Sequence, residues 1–259
     1  MNTKLFTGVA ILVPFLFLAC DDSNSPSGPT LSTVTQVSLV PLKVGDKWTM
    51  GVSDPDVTNG LESLIIVKDD STYEGEAIYI GDLTVSAPTF TSDGSKISNL
   101  NETGRIFLRK SDQQVVYKNE TVTADVIPVG SLVSVNVKIL AETKSVFTGT
   151  IPTILTPGLA WTVKEVATVH TENYADGELG DETDSVETKT SSYTTKSIYN
   201  ITVPAGTFAA IEMDHAVAET GESAVEYYSE EAKMTVKQTS KLADKGTAVF
   251  ELRSLSLVK

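Results

Sequence analysis

Alternation of apolar and polar residues, interrupted by glycine-containing turns, constrains the fold of this 259-residue chain more than any other feature. Alternate positions of one segment are aliphatic: Val133, Val135, Val137 and Ile139. Near the C-terminus, Phe250 and Leu252 alternate with charged residues in the same way. This period of two is typical of strands with one buried face, and no long stretch has a helical period. We therefore predict an all-β fold.

Short pairs of residues that end in glycine predict turns between these strands. The pairs are Asn59-Gly60, Asp93-Gly94, Thr103-Gly104, Asp176-Gly177, Thr220-Gly221 and Lys245-Gly246. Residues 223–234 have a helix-forming composition, and we interpret them as strand, turn and strand, with one short helix as the alternative. Because short turns join antiparallel neighbours, we expect antiparallel sheets arranged as a half-barrel or a sandwich.

An internal repeat organises the predicted strands. The two tryptophans occur in similar pentapeptides, and other short segments match in the same order along the chain. The matched segments are 45–49 with 158–162, 83–90 with 201–208, and 102–104 with 219–221. These matches predict two pseudo-repeats, about 38–150 and 154–259. The alternative is coincidence in a chain rich in threonine and valine.

The repeated segments carry residues whose expected role is architectural rather than ligand-binding. Each glycine of the Gly-x-x-Trp motif allows a tight turn at the entrance of a strand, and each tryptophan buries a large apolar area. Proline removes a hydrogen bond from a sheet, so Pro204 and Gly206 predict a corner, after which Phe208 faces the core. The predicted structural residues are Gly45, Trp48, Gly158, Trp161, Pro204, Gly206 and Phe208.

The N-terminus is typical of a bacterial lipoprotein precursor. Lys4 precedes an apolar run over residues 5–19 that ends in Ala19 and is followed by Cys20, the only cysteine. A run of this length suits a secretory signal rather than a membrane span, which needs about 20 apolar residues. We predict a signal peptide over residues 1–19, with cleavage before Cys20 and acylation, palmitate included, of Cys20. The alternatives are an ordinary signal peptide with a chance cysteine, or an uncleaved anchor.

The domain organisation follows from this N-terminus. Residues 20–35 are rich in serine, proline, glycine and threonine, so we predict a lipidated cysteine followed by a flexible tether. Residues 36–259 then form the β domain, as one unit or two. Two or more acyl chains anchor a protein stably to a bilayer. The expected location is the bacterial cell envelope, with the outer membrane or cell surface favoured and the inner membrane as the alternative.

Charge and cysteine content exclude several classes of function. The formal net charge is −14, and removal of residues 1–19 takes away Lys4 and no acid, which leaves −15. A strongly acidic chain repels phosphate backbones, so we expect no nucleic-acid partner. With Cys20 acylated no thiol remains, which excludes a disulfide and thiol redox chemistry.

Several segments resemble a broad group of uncharacterised bacterial lipoproteins, in the same order over roughly residues 38–259. They are residues 41–50, 158–162, 201–208, 227–237 and Glu251-Leu252. Members of the group carry a glycine-rich turn before a Val-Lys pair, which is Val236-Lys237 in this chain. At the position of that turn this chain has residues 229–233, which contain no glycine. The resemblance implies an envelope location and a β fold, but no reaction. By looser analogy, such domains are similar to half-barrels that carry lipoproteins or lipids.

The residues that usually carry catalysis form no motif here. His170 and His215 have no zinc-ligand spacing, and each is expected to be solvent-facing or packed. No nucleophile elbow, phosphate-binding loop or dinucleotide fingerprint is present in the sequence. We therefore predict that the protein is not an enzyme, and that it has no cofactor and no metal.

Calcium is the one ion that the sequence allows as an alternative. Asp54, Asp56 and Asn59 approach the spacing of an oxygen-lined loop. A second acidic segment, residues 175–187, carries six carboxylates: Asp176, Glu178, Asp181, Glu182, Asp184 and Glu187. The alternative for the second segment is a solvated hairpin tip.

These features predict a membrane-anchored envelope lipoprotein with a non-catalytic structural or binding role. Its membrane partner is lipid, contacted through acylated Cys20, and its protein or apolar-ligand partner is left open. The alternative function is a half-barrel carrier of apolar ligands.

Overall fold

The computed structural model of the chain describes residues 29–53, 57–58, 61–92, 94–242 and 246–259. These residues form sixteen β-strands and, within the described ranges, no helix. The strands are β1 (Thr30–Leu31), β2 (Val37–Ser38), β3 (Lys47–Ser53), β4 (Val57–Thr58), β5 (Leu61–Tyr73), β6 (Glu76–Ser92), β7 (Ser95–Arg109), β8 (Val115–Ile127), β9 (Val135–Thr148), β10 (Ile154–Leu155), β11 (Ala160–Ala175), β12 (Glu178–Val203), β13 (Gly206–Val217), β14 (Ser223–Ser229), β15 (Met234–Leu242) and β16 (Gly246–Ser256). The prediction of an all-β fold is confirmed.

Twelve of these strands close into one antiparallel barrel. Their order is β12-β11-β9-β8-β7-β6-β5-β3-β16-β15-β14-β13, and β13 pairs again with β12. The predicted half-barrel or sandwich is therefore wrong, although the antiparallel pairing is confirmed. Closure depends on β12, which has 26 residues. It is long enough to pair with β11 over residues 178–194 and with β13 over residues 191–203.

Local alternation predicted several strands correctly. Residues 223–234 form β14, a turn and the start of β15, which confirms strand, turn and strand. The segment around Val137 and Ile139 forms β9, and both side chains are buried. The strand begins only at Val135, because Val133 lies in the preceding loop with 70% of its surface exposed.

The glycine-ended pairs behave in two different ways. Asp176 and Gly177 both have positive φ (49° and 86°) and join β11 to β12, as expected of a two-residue hairpin turn. The pair Thr220-Gly221 also lies in a turn. The turn predicted at Thr103-Gly104 is wrong, because both residues lie inside β7. Asn59, Gly60, Asp93 and Lys245 lie outside the described residues.

Gly104 is required by a close approach between strands rather than by a turn. A Cβ at this position would lie 2.4 Å from the carbonyl oxygen of Asn119 and 3.2 Å from the Cα of Glu120 on β8. Both atoms belong to the backbone, so they move only if β8 shifts.

We expect Gly104→Ala to destabilise the protein by about 1–3 kcal/mol through this overpacking. The matched control is Gly180→Ala on β12, where the nearest atom, the carbonyl oxygen of Asn173, would lie 3.4 Å away. Urea unfolding of both variants measures the difference. Equal stability of the two variants would contradict the close approach.

Three clusters of buried side chains form the core. The first is built from β3 and β5–β9 and includes Leu83, Ile106 and Val122. The second joins Trp48 on β3 to Phe208 on β13 and to residues of β5, β6, β12, β15 and β16. In the third, the short ribbon of β2 and β10 packs on β12, β13 and β14. Burial of each large aliphatic or aromatic side chain contributes roughly 1.5–3 kcal/mol.

Two of the three matched pairs of the predicted repeat lie in unlike structures, whereas residues 45–49 and residues 158–162 each lead from a turn into a strand. Residues 83–90 lie within β6, whereas residues 201–208 span the end of β12, a two-residue turn and the start of β13. Similarly, residues 102–104 belong to β7, whereas residues 219–221 lie in the turn before β14. The repeat stays a prediction from the sequence.

The described chain enters the barrel at one end of β12. Thr30 pairs with Asn200 and Leu31 with Tyr199, so strand pairing begins inside the segment predicted as tether. The turn that joins β11 to β12 lies at the opposite end of this strand. Asp184 is 16 residues from Asn200, which corresponds to roughly 50 Å along an extended strand. The N-terminal half of β12 therefore lies far from the point where the chain enters.

Candidate functional site: the free edge of strand β12

The N-terminal half of β12 is paired on one side only. Its pairing with β11 covers residues 178–194, but its pairing with β13 begins at Ser191, opposite Val217. Within the described part of the chain, no strand pairs with the other side of residues 178–189. We call residues 182–188 the β12 edge. It is the candidate functional site because its outer main-chain groups are available to a partner.

A side chain marks the point where β12 and β13 separate. The Ala218 N–H donates to the Thr190 carbonyl oxygen at 3.0 Å, as in a continuing ladder. The carboxylate of Glu219 accepts hydrogen bonds from the Thr190 N–H and hydroxyl, both at 2.7 Å. Because a side chain here takes the place of a main-chain acceptor, the ladder between β12 and β13 ends at Thr190. These hydrogen bonds lower the pKa of Glu219. The edge therefore begins at a defined position rather than at a frayed strand end.

The acidic segment predicted as a possible calcium loop or hairpin tip, residues 175–187, overlaps this edge. Asp176 lies in the turn and Glu178 begins β12, but the other four carboxylates lie along the strand: Asp181, Glu182, Asp184 and Glu187. Among the described residues no group of three or more histidine, cysteine or acidic side chains is arranged to hold a metal ion. Asp54, Asp56 and Asn59, the other calcium candidate, lie outside the described residues.

His170 links β11 to this edge. It is the cross-strand neighbour of Asp184, and its Nδ1 lies 2.8 Å from Asp184 Oδ1. Its Nε2 lies 3.6 Å from Glu172 and 3.9 Å from Glu182. The hydrogen bond to Asp184 raises the pKa of the His170 imidazole, and Glu172 and Glu182 act in the same direction. His170 is thus partly exposed and surrounded by carboxylates.

A shallow concavity of about 310 Å³ lies on the outer face beside His170. Its lining is mostly polar and comes from β7, β8, β9 and β11: Thr103, Asn119, Glu120, Thr121, Leu140, Ala141, Glu142, His170 and Glu172. Because Glu142 and His170 are cross-strand neighbours, the acidic surface continues from the β12 edge across β11 to β9.

A second group of charges is buried between β7 and β8. Lys118 Nζ lies 3.3 Å from Glu102 Oε1 and also contacts Glu120 Oε2, and each of these side chains is about a tenth exposed or less. Burial raises the pKa of Glu120 to about 7, against the opposing attraction of Lys118. The sequence carries a signal that could have found this group, since Lys118 and Glu120 fall in the same alternation phase as buried Val116 and Val122.

The raised pKa of Glu120 predicts a pH-dependent stability. The folded state retains the proton on Glu120 above the ordinary pKa of 4.5. The contribution of protonated Glu120 to the free energy of unfolding is therefore full below pH 4.5 and is lost as the pH rises to about 7. Glutamine cannot ionise, so we expect the free energy of unfolding of Glu120→Gln to rise relative to that of wild type as the pH increases from about 5 to about 8. The expected rise is on the order of 2–3 kcal/mol. Urea unfolding at several pH values measures this gain. A difference between the two proteins that stays constant with pH would contradict it.

His215 is part of an aromatic stack rather than a catalytic pair. Its ring lies 4.4 Å from that of Tyr193, which stacks on Trp161 with a centroid distance of 5.1 Å. The three residues are cross-strand neighbours on β13, β12 and β11. The His215 Nδ1 lies 3.2 Å from Glu226. Burial raises the pKa of Tyr193 above its ordinary range, with a contribution from Glu226.

The first Gly-x-x-Trp motif lies at the entry of β3, where hydrogen bonds of Asp46 and Trp48 connect it to residues 232–233 and to Val258. We call this hydrogen-bonded group the clasp. Gly45 has φ +98°, and Trp48, 3% exposed, donates from Nε1 to the Ala232 carbonyl oxygen at 2.8 Å. Asp46 is fully buried and accepts from Lys233 Nζ at 2.7 Å and from the Val258 N–H at 2.8 Å. Burial raises the pKa of Asp46, but these hydrogen bonds outweigh it and hold the pKa below its ordinary value.

The other predicted structural residues lie at strand ends and turns. Gly158, with φ +84°, donates its N–H to the Thr195 carbonyl oxygen at 3.0 Å just before β11. Pro204 begins the turn between β12 and β13, Gly206 begins β13, and Phe208 is buried in the second core cluster. Cys20 lies outside the described residues.

Comparison with known proteins finds resemblance in structure only. No protein family and no curated protein matches the sequence. A crystal structure of a Bacteroides fragilis protein, described as exported and YmcC-like in fold, has 10% identity and a TM-score of 0.37. A Parabacteroides distasonis protein, described as a lipoprotein, has 11% identity and a TM-score of 0.34. Each comparison covers 85% of this chain and 99% of the other chain. Likeness at this level leaves the function to be argued from the residues of this chain.

The described ranges contain no helix long and apolar enough to cross a bilayer.

Proposed function

We propose that this protein is a lipid-anchored lipoprotein of the bacterial cell envelope that acts by binding a partner and not by catalysis. The observation that carries the binding role is the β12 edge, whose outer main-chain groups have no partner among the described residues. A strand edge left open in a closed barrel is a ready template for another chain. In this protein the β12 edge binds the partner, and the anchor predicted at Cys20 holds the protein to lipid.

The position of the edge supports this division of roles. The chain enters the barrel beside Asn200, and the β12 edge lies roughly 50 Å further along the same strand. A protein held to lipid through Cys20 would thus present the edge away from its point of attachment. A surface at the distal end is accessible to a partner in the surrounding compartment.

The surroundings of the histidines favour binding over catalysis. His170 faces Asp184, Glu172 and Glu182, and His215 faces Glu226 and the ring of Tyr193. A histidine that activates a nucleophile needs a serine, threonine or cysteine within hydrogen-bond reach. Neither described histidine has such a neighbour among its contacts.

The alternative, a carrier of apolar ligands, has less support. A carrier needs an open apolar concavity to receive its ligand. The sheet is closed instead of half-open. Within each of the first and second core clusters, the apolar side chains pack together. The concavity at His170 is lined mostly by polar side chains.

Substitution of the predicted anchor tests the proposed location. We expect Cys20→Ser, expressed in a Gram-negative host, to lose incorporation of labelled palmitate and to leave the detergent phase, because acyl chains supply the membrane affinity. Ser27→Ala, in the same predicted tether, is the matched control and should behave as wild type. A Cys20→Ser protein that still incorporates palmitate and fractionates with membranes would refute the anchor.

A further inference from the structure

The orientation of the main-chain groups along the β12 edge follows from the last hydrogen bonds before it. The Thr190 N–H and carbonyl oxygen point toward β13 and Glu219, away from β11. Along a strand these groups point alternately to opposite sides. The outward groups of the edge are therefore those of Glu182, Asp184, Val186 and Thr188. Each of these residues offers one donor and one acceptor to a chain lying alongside.

The side chains of the edge identify the chemistry of such a chain. Residues 178–188 carry five carboxylates and no basic residue. Glu182 and Asp184 are cross-strand neighbours of Glu172 and His170, so their side chains share one face of the sheet with the acidic surface of β11. An extended strand added to this edge would place every second side chain beside these carboxylates. Lysine or arginine at those positions would be electrostatically complementary.

Resting on the binding role proposed above, we propose that the β12 edge accepts an extended, lysine- or arginine-rich polypeptide segment as an added strand. Main-chain hydrogen bonds to Glu182, Asp184, Val186 and Thr188 hold the segment, and the surrounding carboxylates select its charge. This is the strand-addition mode of peptide recognition, in which the backbone supplies affinity and alternate side chains supply specificity.

Acidic side chains on an edge also prevent uncontrolled pairing, and this effect excludes two other occupants. A second copy of this chain on the same edge would bring together ten carboxylates from the two 178–188 segments, and like charges that face each other are destabilising. A segment of this chain outside the described residues is also unsuited. Residues 1–19, which include Lys4, are the predicted signal peptide that is removed, and residues 20–28 carry two aspartates and no basic residue. Lys245 is the single basic residue in the gaps at 54–56, 59–60, 93 and 243–245.

Two probes separate strand pairing from simple charge attraction. The first is a fluorescein-labelled decapeptide of alternating lysine and threonine. The second has the same sequence with four consecutive central residues N-methylated, which keeps the charge but blocks main-chain donors on both sides of the peptide. Binding is measured by fluorescence anisotropy with the full chain purified in nonionic detergent. Because the protein is purified, a failure of edge binding is distinguishable from a failure of lipid anchoring.

Variants of the edge test the same point from the protein side. Val186→Pro removes one outward N–H at a position where proline is tolerated, because the inward ladder with β11 does not use that N–H. Val186→Thr is the matched control and keeps the N–H. The double variant Glu182→Gln, Asp184→Asn keeps the backbone and removes two charges. Far-UV circular dichroism and thermal melting establish that each variant is folded.

We expect the unmodified peptide to bind and Val186→Pro to weaken binding roughly tenfold, with Val186→Thr within about twofold of wild type. The charge variant should lose affinity mainly at low salt, since salt screens exposed charges. Equal binding of the two peptides would overturn the proposal, as would undiminished binding by folded Val186→Pro. If Val186→Pro does not fold, the two peptides alone decide. A dimer of wild type that Val186→Pro dissociates would also overturn it, because a second copy would then occupy the edge.

Discussion

Replacement of Lys118 by methionine should destabilise the protein by about 3–5 kcal/mol at pH 8, because it leaves two buried carboxylates without their cation. Lys118 Nζ contacts both Glu102 and Glu120, and the two carboxylate side chains are each 6% exposed. Removal of one partner of a buried ion pair costs more than the pair itself contributes, since the remaining charge stays desolvated. Urea unfolding at pH 8 measures the loss.

The matched control is Lys144→Met on the neighbouring strand β9. Lys144 also pairs with a glutamate, Glu142, at 3.1 Å, but the two side chains are 54% and 41% exposed. Exposed pairs contribute about 0–1 kcal/mol, so this variant should remain close to wild type. If Lys118→Met and Lys144→Met lost the same stability, burial of the Lys118 group would not explain the effect.

Neutral replacements should rescue the Lys118 variant. In Lys118→Met combined with Glu102→Gln and Glu120→Gln, no buried charge is left without a partner. We expect the triple variant to recover most of the lost stability, because neutral groups avoid most of the desolvation cost that unpaired ions carry. A triple variant no more stable than Lys118→Met alone would indicate that packing of the lysine stem, and not charge, dominates at this position.

Replacement of Trp48 by alanine should cost about 3–5 kcal/mol, through lost burial and the cavity that remains. The indole is 3% exposed and packs in the second core cluster with Val67, Phe208 and Leu252. It also donates to the Ala232 carbonyl oxygen at 2.8 Å. The neighbouring residue, Lys233, binds buried Asp46, so loss of Trp48 should also loosen the clasp at the entry of β3. Guanidinium unfolding measures the change.

The second tryptophan provides the matched control for this prediction. Trp161 stacks on Tyr193 and is only partly buried, so Trp161→Ala should cost less, about 1–3 kcal/mol. Trp48→Phe separates the two contributions at the first site, since it keeps a ring but removes the donor to Ala232. Equal losses for Trp48→Ala and Trp161→Ala would contradict the unequal burial of the two residues.

The candidate site could be predicted only in part. The acidic composition of residues 175–187 is evident in the sequence, and so is the turn at Asp176-Gly177. That the carboxylates lie along an unpaired strand is not, because it depends on where β13 ends and on the hydrogen bonds from Thr190 to Glu219. These residues are 29 positions apart in the chain.

Features that depend only on residues close together in the chain could be predicted from the sequence. The period-two alternation around Val137 and Leu252, the hairpin turn at Asp176-Gly177 and the strand, turn and strand at 223–234 follow from local preferences. Three features are evident only in the folded chain: β12 meets β13 to close a barrel, Gly104 lies within a strand, and Lys118 joins two glutamates inside the protein. These features depend on distant residues that the fold brings together, and alternation along one strand carries no information about which strand lies beside it.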